Sequence, residues 1–307
     1  MMKMNTMKKQ IAAFMAVCLL MTATSCAEAS EETQMETTMT SAVQAEESSD
    51  ESDVQDQDPS DIDSQLDMIA GCHGYINTDF CSNFDFDPGI SFAVTDLNHN
   101  GRLEIIVSVV QGSGVYSHTA FYEISEDHSS LERLSVNGEA YIDEVGDFLR
   151  SVAIYDCYLK DGEYYYLVQD YVSGGWNCKA DMFYSYSFGN GVTSDHLGGY
   201  EISAENVDGL TTVNIWLHGP SGVLFDSNEA YLDHMNAYWS DYERQDSCEI
   251  HWMLFSGDMD FAEAIAESYN AFDPHSGSES PITYDYHEFC DSLYGGNGTT
   301  EFEYVIN

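Results

Sequence analysis

Between Asp96 and Glu104 the chain reads Asp-Leu-Asn-His-Asn-Gly-Arg-Leu-Glu, with oxygen-bearing side chains at the first, third, fifth and ninth positions. Such alternation turns these side chains toward a common centre, and a centre lined by oxygen suits a hard cation. Calcium takes six to eight oxygens at about 2.3–2.6 Å. Asp96, Asn98, Asn100 and Glu104 would supply side-chain oxygens and Arg102 its carbonyl, while Gly101 allows the sharp turn such a loop needs. Only Asp96 and Glu104 bring full charge, so the expected site is weak, with a dissociation constant of about 10⁻⁴ to 10⁻³ M. The competing expectation is a bare hairpin turn, because Asn-Gly between alternating apolar runs is itself a hairpin signal.

Aromatic side chains are the second source of chemistry. Tyr164, Tyr166 and Val168 fall on one face of a strand, and Tyr184, Tyr186 and Phe188 could share another. Exposed rings of this kind stack on sugars; buried ones pack, and packing is the commoner use of a strand tyrosine. Trp176 follows Gly174 and Gly175, in a loop with little framework to bury its ring. Tyr164, Tyr166 and Trp176 are therefore the candidate ligand-binding aromatics. No catalytic residue is nominated. The histidines show no H-E-x-x-H spacing, the serines no G-x-S-x-G elbow and the glycines no phosphate loop. With so many acids, some carboxylate pairs are close by chance, so proximity alone selects no general acid and base.

These residues need elements to position them. Ile62, Leu66 and Ile69 recur at helical spacing and stop before Gly71. From Ile90 to Leu217 the pattern is one of strands: 90–95, 103–110, 120–124, 152–159, 164–171, 182–188 and 211–217, with turn signals between them. Short strands joined by short turns imply an antiparallel meander. Beyond Pro220 the period becomes helical. Tyr231, Met235, Tyr238 and Tyr242 form a stripe that Asp226 or Ser227 would cap, and Phe261, Ile265, Tyr269 and Phe272 mark a second helix stopped by Pro274. A strand over 250–255 and a last one over 302–306 complete an α+β domain, mainly an antiparallel β meander with C-terminal helices packed on it, over residues 64–307. Its β-rich part is 90–217 and its mixed helical part 226–307.

The N-terminus carries a different message. Lys3, Lys8 and Lys9 precede an apolar run, Ile11 to Met21, that rises only about 16 Å as a helix, too short for a hydrocarbon core of about 30 Å. This reads as a secretory signal over residues 1–25. Ala23, Thr24, Ser25 and Cys26 resemble the lipobox of bacterial lipoproteins, with Ala23 where that family usually has Leu; the resemblance implies that Cys26 is acylated and becomes the first mature residue. Residues 26–63 follow as a disordered linker of Ser, Thr, Glu, Asp, Gln and Ala. From residue 27 it has no aromatic residue, no Lys or Arg and 13 acids, so it buries little and repels itself.

Removing those 13 acids from 54, and the three signal lysines from nine basic residues, leaves 41 acids against six bases, a net of about −35 on the folded part. Such a surface repels nucleic acid and anionic lipid. The partners expected are the membrane, through the N-terminal lipid, and an extracellular glycan or protein ligand. Apart from Cys18 and Cys26, Cys72, Cys81, Cys157, Cys178, Cys248 and Cys290 permit up to three disulfides in 15 pairings.

The Asp96–Glu104 pattern has Val107 where the twelfth residue of an EF-hand loop is a bidentate Glu, and a β-branched run follows it. A calcium loop feeding a strand instead resembles the FG-GAP or VCBS loops of integrin-like propellers and of uncharacterised lipoproteins of Gram-positive bacteria. The resemblance covers Ile90 to Val109, departs at Asn98 and Asn100, where Asp is frequent, and occurs once, so a full propeller is not expected. It implies bound calcium. Together these readings lead to the expectation of a lipid-anchored protein on the extracytoplasmic face of the cell membrane, acting as a calcium-stabilised binding or interaction module. The alternative is an extracellular hydrolase of glycan or peptidoglycan.

Overall fold

The two apolar runs flanking the Asp96–Glu104 stretch pair antiparallel with Thr95 opposite Glu104, and this hairpin lies at the heart of a five-stranded sheet. The computed structural model describes residues 60–81, 90–111, 116–138, 153–173, 178–207, 210–255, 259–287, 290 and 302–307. All of them fall in the compact unit Val54–Asn307. The signal, Cys26 and nearly all of the linker lie outside the described residues.

Helices α1 (Ile62–Gly71) and α2 (His73–Cys81) come first, then β1 (Ile90–Thr95), β2 (Glu104–Gln111), β3 (Tyr116–Ile124), β4 (Leu131–Arg133) and β5 (Val136–Gly138). There follow β6 (Ile154–Tyr155), β7 (Cys157–Lys160), β8 (Glu163–Ser173), β9 (Cys178–Gly189), β10 (Gly191–Val207), β11 (Leu210–His218) and β12 (Leu224–Phe225). Helix α3 (Asn228–Tyr238), β13 (Glu243–Arg244), β14 (Cys248–Glu249), β15 (Met253–Leu254), α4 (Phe261–Asn270) and β16 (Phe302–Ile306) complete the order. The smaller sheet runs β15-β1-β2-β3-β4 and the larger β12-β11-β10-β9-β8-β7-β13, with β16 and β5 added parallel to β11 and β10. The other paired strands are antiparallel, and the fold is α+β with a β meander.

The smaller sheet is buried on both faces. Phe92, Val94, Ile105, Val107 and Tyr122 share a core with Leu66 and Ile69 of α1, Phe80 of α2 and Ile265 of α4. Ala93, Ile106 and Phe121 point the other way and join the core of the larger sheet, where Phe121 meets Phe188 edge-on at 5.5 Å. Two covered faces explain why Ile105 to Val109 is an almost unbroken apolar run. The far face of the larger sheet is covered by α3 and the segment after it. Tyr158 stacks on Trp239 with centroids 3.9 Å apart, and Phe183 meets Tyr284 edge-on at 5.0 Å.

Several expectations need correction. Tyr166 pairs with Tyr186, and Val168 with Tyr184, so the two aromatic sets lie on one and the same face, and that face is core. The longest strand, β10, was not anticipated. Its polar residues and the Gly198–Gly199 pair hide the alternation, and a bulge between His196 and Gly198 shifts its phase. Helix α3 is capped by Ser227, whose Oγ accepts the Ala230 N–H at 3.2 Å, but it ends at Tyr238, so Tyr242 leaves the helical stripe and stacks back on Tyr238. Of the strand expected over 250–255 only β15, two residues long, forms, with β14 just before it, and α1 begins at Ile62, inside the tract assigned to the linker. Cys72, Cys157, Cys248 and Cys290 are thiols; the side chains of Cys81 and Cys178 lie outside the described residues.

Candidate functional site

The connection between β1 and β2 is not a tight Asn-Gly turn but a wide loop over residues 96–103, folded round the Asp96 side chain. Asp96 Oδ1 accepts the Asn100 N–H at 3.0 Å and Oδ2 that of Gly101 at 3.2 Å. Asn98 Oδ1 accepts the Asn100 N–H, and Asn100 Oδ1 accepts the Arg102 N–H at 2.7 Å. The side chains at the first, third and fifth positions thus converge on the loop's own backbone, and Gly101 takes a φ of 80° to close it.

Glu104 lies fully buried at the mouth of the hairpin. Its Oε2 accepts the Leu97 N–H at 2.8 Å and the Thr95 hydroxyl at 3.1 Å. Directly opposite it on β3 is Glu123, whose Oε1 accepts amide N–H groups of Asn98 (2.6 Å) and Asn100 (2.8 Å) and whose Oε2 accepts Arg102 at 2.9 Å. Asp96, Glu104 and Glu123 are near enough for their charges to interact, and Glu123 alone pairs with the Arg102 guanidinium. Burial, reinforced by the charges of Asp96 and Glu123, pushes the Glu104 carboxyl up to about 8. Burial also raises Asp96, with Glu123 adding to it, against the backbone N–H groups that lower it.

Two residues that the sequence did not single out complete the loop. Glu123 hides in an apolar strand, and its signal is an acid between Tyr122 and Ile124. Gln65 is a buried amide on α1 that donates to the Gly101 carbonyl at 3.0 Å and accepts the Leu103 N–H at 2.9 Å. Its signal is a polar residue beside the Leu66 and Ile69 stripe.

The structure brings two candidate aromatics to this loop. The His99 ring stacks on Tyr164 with centroids 3.9 Å apart, and Tyr164 is half-buried. Tyr166 is a correction: it is 1 % exposed, its hydroxyl donates to the Leu97 carbonyl at 2.6 Å, and its ring has no face open to a ligand. Trp176 lies outside the described residues. Beside the loop, an open cleft of about 320 Å³ is bounded by the β7–β8 and β9–β10 turns.

The donors fit calcium in kind. The Asn98 and Asn100 amide oxygens each accept one hydrogen bond and keep a lone pair, and the local excess of negative charge calls for a cation. No group of three His, Cys, Asp or Glu side chains among the described residues is arranged to hold a metal. The set proposed from sequence has two carboxylates, the rest being neutral oxygens. Elsewhere, burial pushes the Cys157 thiol up to about 12, which removes it as a nucleophile at neutral pH. Among the described residues no helix is long and apolar enough to cross a membrane. Comparison of the chain with family models, curated proteins and solved structures returns no match.

Proposed function

We propose that the chain is a lipid-anchored extracellular binding module in which a weak calcium site stabilises the β1–β2 hairpin. One observation carries this reading: the oxygens of Asp96, Asn98 and Asn100 are folded onto one loop whose mouth holds the buried Glu104, and that loop also walls an open cleft. Asp96, Asn98, Asn100, Glu104 and the Arg102 carbonyl would hold the ion, and bound calcium would supply the charge that the three carboxylates lack. By linkage the ion contributes RT ln(1 + [Ca]/Kd), about 0.4 to 1.4 kcal/mol at one to ten times Kd. The anchor rests on Cys26 and the segment before it. The hydrolase reading draws no support from the cleft, whose lining includes a single carboxylate, Glu163, where hydrolysis by a carboxylate pair needs two.

Thermal unfolding in EDTA and in millimolar calcium tests the metal, with a rise of a few degrees expected; coincident curves would remove it. Incorporation of a labelled fatty acid, lost in Cys26→Ala, tests the anchor, and equal labelling of both proteins would refute it.

A further inference from the structure

The cleft beside the loop has features that point to the class of its occupant. Its volume, about 320 Å³, is at the lower end of the range for small-ligand sites. Its charged lining groups are both engaged. Arg102 is bonded to Glu123, and Glu163 accepts the Tyr165 hydroxyl at 3.0 Å through Oε2 while its Oε1 lies over Gly189, where a Cβ would approach it to 3.2 Å. With Arg102 neutralised by Glu123, Glu163 is the charge that remains on the lining, and it turns anionic ligands away.

The remaining polar lining is amide. Asn98 and Asn100 each give one N–H to Glu123, and their oxygens accept backbone N–H groups, so both planes are fixed while each keeps a second N–H. Asn190 stands exposed at the β9–β10 tip. The apolar wall is Tyr164, backed by His99. His99 holds a φ of 56°, in the left-handed region that non-glycine residues seldom adopt. That strain is retained where the loop braces the tyrosine.

Pre-set amides offering donors and acceptors, next to a braced aromatic ring and with one carboxylate that turns anions away, match an uncharged ligand with several hydroxyls and an apolar ring face. We infer that the cleft binds a neutral saccharide of one or two rings, with Tyr164 as the stacking wall and Asn98, Asn100 and Asn190 bonding its hydroxyls. This rests on reading the chain as a binding module.

The test is calorimetric titration of the full chain with neutral oligosaccharides of glucose, xylose, mannose and N-acetylglucosamine, with oligogalacturonate as the acidic comparator. At least one neutral series should bind. Tyr164→Ala should weaken it at least tenfold and Asn190→Ala at least threefold, the second variant lying at an exposed tip that does not challenge folding. Three results would overturn the inference: no neutral series binding a folded protein, binding unchanged in Asn190→Ala, or tighter binding of oligogalacturonate. Melting curves with and without calcium on the same samples separate the two ideas. A calcium response without saccharide binding sinks the cleft alone, and saccharide binding without a calcium response sinks the metal alone.

Discussion

Replacing Glu104 by Gln tests the electrostatic account of the loop most directly. The side chain is fully buried and its carboxyl sits at about 8 instead of its ordinary 4.5. A carboxyl raised in the folded state holds a proton there that the unfolded chain releases, so wild-type stability falls as pH rises from 4.5 towards 8. The limiting slope is about 1.4 kcal/mol per pH unit, and from pH 5 to pH 8 this group alone removes about 3 kcal/mol. Gln keeps the shape, and its carbonyl can still accept the Leu97 N–H and the Thr95 hydroxyl, but it does not titrate. In EDTA the two proteins should therefore have similar urea midpoints at pH 5, and Glu104→Gln should be more stable by about 2–3 kcal/mol at pH 8. In calcium the order should narrow, because only the wild type gains a charged ligand. A variant less stable than wild type by the same amount at both pH values would refute the argument, since that pattern belongs to lost packing rather than to a buried charge.

Glu123→Ala removes the acceptor shared by Asn98, Asn100 and Arg102 and should cost about 2–4 kcal/mol in urea unfolding, offset in part by relief of its repulsion with Glu104. Asp181, buried under α3 with its Oδ2 bonded to the Tyr200 hydroxyl at 2.6 Å, is raised by burial to about 6 from 3.8. Its sign is the same: wild-type stability should fall with rising pH between about 4 and 6, and Asp181→Asn should gain on it by about 1 kcal/mol per pH unit in that window and hold a constant lead above it. Gly198→Ala should cost more than about 3 kcal/mol, because φ is +145° there and the new Cβ would stand 2.6 Å from the His218 carbonyl oxygen; an unchanged urea midpoint would contradict the tight β10–β11 approach.

Elements with strong periodicity were legible in the sequence. The Ile62 helix, the strand over 90–95 and the last strand over 302–306 stand where the apolar pattern puts them. What failed did so for identifiable reasons. Residues 191–207 form one strand although serines, acids and two adjacent glycines break the alternation, because pairing with β9 and β11 on both sides overrides the weak local preference. Tyr166 looked like a platform residue because exposure cannot be read from residue type. What buries it is the smaller sheet lying across β8, a contact between segments about 70 residues apart. The oxygen spacing of the loop was visible, but its partners Glu123 and Gln65 were not, since both are brought in from other elements by tertiary packing.

One row of the smaller sheet ties these points together. Facing the larger sheet, Ala93, Ile106 and Phe121 lie side by side across β1, β2 and β3, and one step nearer the loop the same row becomes Thr95, Glu104 and Glu123. Carboxyls directly opposite each other pair poorly, since only one can ionise without repulsion, and a threonine or valine at either position would pair better. The row therefore gives up stability at the one place where it meets Asp96, and it does so beneath the amides that line the cleft. Asn98 and Asn100 turn their oxygens to the loop and their N–H groups to Glu123. On the proposed reading, a cation drawn to those oxygens would neutralise the row and reinforce the amide planes in a single step. The weakness in the sheet and the order in the cleft wall would then have one cause.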